Sequence, residues 1–217
     1  MAELRLSMVF FLFIFFYINL STVESSMGRV RHFKHPDTKA LIEVSCQTTL
    51  YPALCIKCLA RYANSNVRNE QQLAQVALTV SLYKARSTRS YMLKVAKELE
   101  SIKAKECPAL RDCLQQIDDS INQLSHSIRE LRRFDLKAGM TDDLFWQIDN
   151  VDTWISAALT DASNCVDELP GHRMSKMKAT IKGKVMNVAQ LTSNALALFH
   201  RYAARYRSAT NKIVLLD

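Results

Sequence analysis

PALRDCLQQIDDSINQLSHSIRELRRFDLKAGMTDDLFWQIDNVDTWISAALTDASNCVDELP, residues 108–170, reads as one long helical hairpin closed by its own cysteines. Its first arm sets Leu110, Leu114, Ile117, Ile121, Leu124, Ile128 and Leu131 at steps of three and four, the mark of one buried helix face. Gly139 punctuates it. Thr141, Asp142 and Asp143 follow, a capping hydroxyl and two acids suited to a helix N-terminus. The second arm then buries Leu144, Ile148, Val151, Trp154, Ile155, Ala158 and Leu159. Cys113 lies 26 residues before Gly139, and Cys165 lies 26 after it. Two antiparallel helices of equal rise, folded at that glycine, bring the two cysteines level, so Cys113–Cys165 is the expected disulfide.

Working outward from the hairpin, the start of the 217-residue chain reads as a secretory signal peptide over residues 1–25. Its apolar core, Met8–Leu20, is 13 residues long, against the roughly 20 needed to span a bilayer. Cleavage would leave 192 residues and, by removing one base and two acids, shift the net charge from +8 to +9. Export also places the six cysteines in an oxidising compartment. Residues 26–36 form a polar, basic arm, and residues 37–217 form one domain large enough for a substantial core.

Within that domain, Asp37 caps a first short helix, and Pro52 suits the first position of a second. The segment 37–63 is therefore a small helical hairpin with a cysteine on each arm. The nine-residue separation of Cys46 and Cys55 makes them the natural pair. After a polar break at Asn64–Asn69, a long helix runs from Glu70 to about Lys105. Leu73, Val76, Ala77, Val80, Tyr83, Tyr91, Val95, Leu99 and Ile102 lie on one side of it, and its charges read as a solvated face. Cys107-Pro108 ends it. Leu169-Pro170-Gly171 breaks the chain again before a last helix, about Met174 to Arg207. Strand signals are nearly absent. The fold expected is all-α, an antiparallel four-helix bundle over 69–209 preceded by the short hairpin, with two disulfides. Its seam includes Val80, Leu99, Ile117, Leu124, Ile148, Ile155, Val188 and Leu191. Cys58 and Cys107 sit at opposite ends of the Glu70–Lys105 helix, on the order of 50 Å apart. They are expected as free thiols or an intermolecular link rather than a bond to each other.

Catalytic chemistry finds little support. Four glycines, at 28, 139, 171 and 183, build no phosphate-cradling or dinucleotide loop. Neither a Gly-x-Ser-x-Gly elbow nor a His-Glu-x-x-His pair occurs. His32, His35, His126, His172 and His200 are scattered and read as isolated surface residues. Asp112, Asp118 and Asp119 read as acids answering a helix dipole. No catalytic residue, metal ligand or cofactor is expected, and the chain reads as a non-enzyme. A pI near 9.2 favours acidic polysaccharide such as pectin over nucleic acid, because Lys and Arg are spread along the helices. No membrane contact is expected after signal removal.

Four ordered segments carry a family resemblance. Cys46-x-x-Thr49-x-Tyr51-Pro52-x-x-Cys55 resembles the opening motif of the plant invertase and pectin methylesterase inhibitor family. Ala109–Cys113, Thr153–Thr160 with Cys165, and Leu191–Leu198 resemble its later segments in the same order. The resemblance implies a four-helix bundle with an N-terminal hairpin and two disulfides. It implies a secreted inhibitor in the apoplast or cell wall that blocks the substrate cleft of pectin methylesterase and so modulates pectin de-esterification. The alternatives are an inhibitor of acid invertase or a non-inhibitory module that binds wall polysaccharide. Invertase inhibitors of the family often carry a Pro-Lys-Phe run near the third helix, which this chain lacks. In the family, helices equivalent to Ala109–Ala138 and Thr141–Val166 lie across the enzyme. Matched residue by residue, this gives Asp119 and Asn122, then Asn164 and Asp167, as enzyme-binding positions. The family often has threonine where Asn164 stands and an acid where Asn122 stands. Asp119 and Asp167 are expected to cluster near the second disulfide, and a carboxylate contact there makes the complex pH-sensitive.

Overall fold

The described residues of the computed structural model are 38–65, 67–101, 108–134, 142–169 and 176–214. Among them, Thr38–Cys46 (α1) and Pro52–Leu59 (α2) form the small hairpin, and a 3₁₀ turn follows at Ala60–Tyr62. Pro52 fills the first turn of α2, where its missing N–H costs nothing. The Cys46–Cys55 disulfide closes the hairpin with Cα atoms 5.5 Å apart. Thr38 Oγ1 donates to the carbonyls of Ser65 (3.1 Å) and Val67 (3.0 Å), which ties the start of α1 to the link leading into the bundle.

The four long helices are Glu70–Ser101 (α3), Pro108–Arg133 (α4), Asp142–Glu168 (α5) and Lys176–Val214 (α6). They pack in a ring, α3 on α4, α4 on α5, α5 on α6 and α6 back on α3. The face between α4 and α5 is therefore diagonally opposite the face between α3 and α6. α3 starts at a cap of two amides, Asn69 Oδ1 accepting from the Gln72 N–H and Gln72 Oε1 accepting from the Arg68 N–H. Asp37 and Ile102 lie outside the described residues.

Ile117, Leu124, Ile148, Ile155, Val188 and Leu191 are buried as expected, whereas Val80 and Leu99 only pack against the core from its edge. On α3 the buried stripe is rotated from the expected one. It consists of Leu73, Ala74, Ala77, Leu78, Ser81, Ala85, Thr88, Met92 and Val95, and Tyr83 is 70% exposed. The reason is size. Ala74, Ala77, Ser81 and Ala85 let the neighbouring helices approach closely, and the Ser81 hydroxyl is satisfied by the Ala77 carbonyl (3.2 Å). The hairpin is fixed to the bundle by a clamp. The buried Asn194 amide of α6 accepts from the Tyr51 N–H and donates to the Tyr51 carbonyl, both at 3.0 Å.

One bundle end holds a buried acid. Glu70 is 5% exposed, and Arg201 Nε donates to its Oε1 at 2.8 Å. Arg205 Nε lies 2.8 Å from Oε2 as an ion pair without hydrogen-bond alignment. A solvated reading of the α3 charges fails at this residue. The side-chain amides of Gln71 and Gln75 cap the end of α4 by donating to the Leu131 carbonyl.

Candidate functional site

The Cys113–Cys165 disulfide joins α4 and α5 with Cα atoms 4.7 Å apart, and it is the fixed point of the face above it. Two turns along, the Ser120 hydroxyl donates to the Ala158 carbonyl at 3.0 Å, a buried bond that sets the helix register. Outward from this seam, α4 presents Gln115, Asp119, Asn122 and His126 at steps of four, three and four, one stripe of the helix. α5 answers with Trp154, Asp161, Asn164 and Glu168. His126 and Trp154 bring their ring centroids to 5.4 Å. Gln116 Nε2 donates to Glu168 Oε1 at 2.5 Å. The Gln115 amide holds both oxygens of Asp119, at 3.1 and 3.2 Å.

The electrostatic centre of this face is an acid pair. Asp161 titrates above the usual carboxylate range, first because burial disfavours its charged form, then because Asp119 repels it. Asp119, Asp161 and Glu168 lie on this face, and α5 supplies no Lys or Arg to it, so the face carries negative charge in a chain that is basic overall. Asp118, next to Asp119, points the other way and pairs with Arg89 of α3. No acid occupies the first turn of α4, so the helix dipole does not account for Asp118 and Asp119. His126 and His200 also have partners, the latter 2.6 Å from Asp152. The expectation of isolated histidines does not hold for these two.

Of the four positions expected at the face, Asp119 lies at its centre and Asn122 is exposed on the same stripe. Asn164 is exposed one turn beyond Asp161. Asp167 is exposed as well, but six residues from Asp161 turn it about 120° around α5, toward open solvent. The carboxylate set against Asp119 is thus Asp161. Asp161 was missed in the sequence, and Trp154, expected there as a buried residue of the second arm, is only half-buried and lies on this face, although the symmetry that found the disulfide carried the signal. Reflection of 119 and 126 through Gly139 lands two residues from Asp161 and from Trp154.

The arrangement offers hydrogen-bond acceptors, two amides and an aromatic pair on a rigid support, which suits recognition rather than bond-making. Among the described residues, no group of three or more His, Cys, Asp or Glu is placed to hold a metal ion, and no helix is long and apolar enough to cross a membrane. A crevice between α2, α3 and α6, lined by Cys58, Leu59, Val80 and Leu198, has about 10 Å³ of room, space for about one water. Cys58 is a free thiol, and Cys107 lies outside the described residues.

Residues 40–198 match the family model described as plant invertase/pectin methylesterase inhibitor. The chain is 37% identical over 196 residues to pectinesterase inhibitor 9 of Arabidopsis thaliana, covering 89% of this chain and 94% of that protein. It is 38% identical over 167 residues to a 21 kDa protein of Daucus carota, covering 76% and 85%. A crystal structure of a mutant form of a pectin methylesterase inhibitor from Arabidopsis superposes with a TM-score of 0.54 at 21% identity, covering 71% of this chain and 92% of that one, a likeness of fold.

Proposed function

Since the chain belongs to the plant invertase/pectin methylesterase inhibitor family, whose members are inhibitor proteins and not enzymes, we propose that it inhibits pectin methylesterase by laying its α4–α5 face across the substrate cleft. The observation that carries the reading is the disulfide-pinned acid and amide stripe at Asp119, Asn122, Asp161 and Asn164, with the His126–Trp154 pair beside it. A cleft that accepts the hydroxyls, carbonyls and remaining carboxylates of a partly esterified polyuronate is suited by hydrogen-bond donors, and this face offers acceptors and negative charge. Preorganisation matters here, because side chains held by a disulfide and by Gln115 lose little freedom on binding. The family model also names invertase, but a relative 37% identical to this chain is named a pectinesterase inhibitor, which favours the methylesterase. Export to the cell wall rests on the apolar run Met8–Leu20.

The decisive experiment is a titration of purified pectin methylesterase and acid invertase with the protein. Inhibition of the esterase alone is expected. Inhibition of invertase alone would replace the target, and inhibition of neither would leave a polysaccharide-binding module. An Asp119→Asn/Asp161→Asn variant with parental helicity, melting no lower than the parent, locates the face. If it inhibits as well as the parent between about pH 5 and 7, the α4–α5 face is not the one that binds.

A further inference from the structure

Charge is divided across this bundle far more sharply than the total suggests. α6 carries eight Lys and Arg and no acid, and its ring neighbour α5 carries seven acids and no base. The α1–α2 hairpin sits on the α3–α6 side near Ala77, Val80, Leu191 and Leu198. Beside it, the same side continues along residues 83–98 of α3 and 176–187 of α6. Lys84 and Lys94 lie there on α3. Lys184 of α6 reaches across with its ammonium 4.6 Å from the Tyr91 ring centre, and Lys176 is exposed two turns before it. Tyr83 presents an exposed ring at one end of the strip. Glu98 is the acid that faces this strip from α3, and α6 supplies none.

We propose that this α3–α6 strip binds de-esterified polyuronate, the acidic polysaccharide that a methylesterase leaves behind. Lys84 to Lys94 spans about 15 Å along α3, and Lys176 to Lys184 spans about 12 Å along α6, the length of a short run of uronate residues. Ammonium groups spaced along two parallel ridges match carboxylates repeating along a stiff chain, and an exposed tyrosine ring suits the apolar face of a sugar. The proposal rests on the wall location and enzyme target given above, and adds a second surface to them. Ester hydrolysis converts each neutral methyl ester to a carboxylate and methanol. A strip selective for carboxylates therefore concentrates the inhibitor where its target enzyme has already worked. Because α3–α6 is diagonal to α4–α5, both surfaces are available at once.

The test measures binding of the full chain to a biotinylated galacturonate oligomer, its methyl-esterified counterpart, and single-stranded DNA of equal charge, each at several salt concentrations. The parent should prefer the de-esterified oligomer to the esterified one by about tenfold, and Lys84→Gln/Lys94→Gln/Lys184→Gln should lose about tenfold with a shallower salt slope. Lys94→Gln/Lys176→Gln, which touches only exposed residues, should move the same way if Lys184 proves necessary for packing against Tyr91. Inhibition of methylesterase on a short soluble ester is the separate readout and should be unchanged in both variants. Equal binding of esterified and de-esterified oligomer, equal binding of DNA, or parental affinity in both variants overturns the proposal. A parent that binds the oligomer yet does not inhibit the esterase sinks the inhibitor reading and leaves this site standing.

Discussion

Removing the two disulfides one at a time separates what each does. Cys46–Cys55 closes a separation of 9 residues, and Cys113–Cys165 closes one of 52. All four cysteines are buried, so replacing either pair by alanine loses nearly the same transfer energy, which cancels in the comparison. The difference left is loop entropy in the unfolded chain. It amounts to about 2.6 kcal/mol for the short loop and about 4 kcal/mol for the long one. In a Cys58→Ala/Cys107→Ala background, which removes competing thiols, the long-pair variant should be less stable than the short-pair variant by about 1.5 kcal/mol. Guanidinium titration followed by circular dichroism reads this as a lower midpoint at similar slope. Against the background protein, melting should fall by about 8–16 °C for the long pair and about 5–10 °C for the short one. The long-pair variant should also inhibit more weakly, since its acid stripe is no longer pinned. Equal losses, or a larger loss for the short pair, would refute the entropic account.

Ile117→Ala and Ile155→Ala each empty a fully buried site and should cost about 2–5 kcal/mol, read by the same titration. Variants that melt like the parent would mean the faces of α4 and α5 are misassigned. Arg201→Ala/Arg205→Ala should cost more, about 3 kcal/mol, than Glu70→Gln at roughly 1–2 kcal/mol, because the double variant strands a buried carboxylate while Glu70→Gln leaves arginines that reach solvent. Asp161 has a folded-state pKa raised by burial and by Asp119, so its ionised form works against folding at neutral pH and its neutral form does not. Asp161→Asn should therefore melt higher than the parent at pH 7, and the gap should close as pH falls through the folded-state and then the unfolded-state pKa. A gap that stays constant with pH would show that the substitution acts by packing instead.

The helices, their antiparallel hairpin and the level of the long disulfide were legible because they depend on one dimension. The rise of a helix is fixed, so residue spacing about Gly139 measures height, and apolar spacing of three and four measures the buried direction. Height also predicted which turns of α4 and α5 would meet. The α3 stripe was harder, since alanine and serine carry little hydrophobic signal although they are buried there. What remained hidden depends on the rotation of each helix about its axis and on which helices become neighbours in the ring. Asp118 and Asp119 are adjacent in sequence, yet one turns to Arg89 on α3 and the other to Asp161 on α5. Glu70 finds Arg201 across 131 residues, and Tyr51 finds Asn194 across 143. No local pattern encodes such pairings, because a polar side chain looks the same in sequence whether water or a distant partner satisfies it. Only the packed bundle, by excluding water from one side of each helix, decides which.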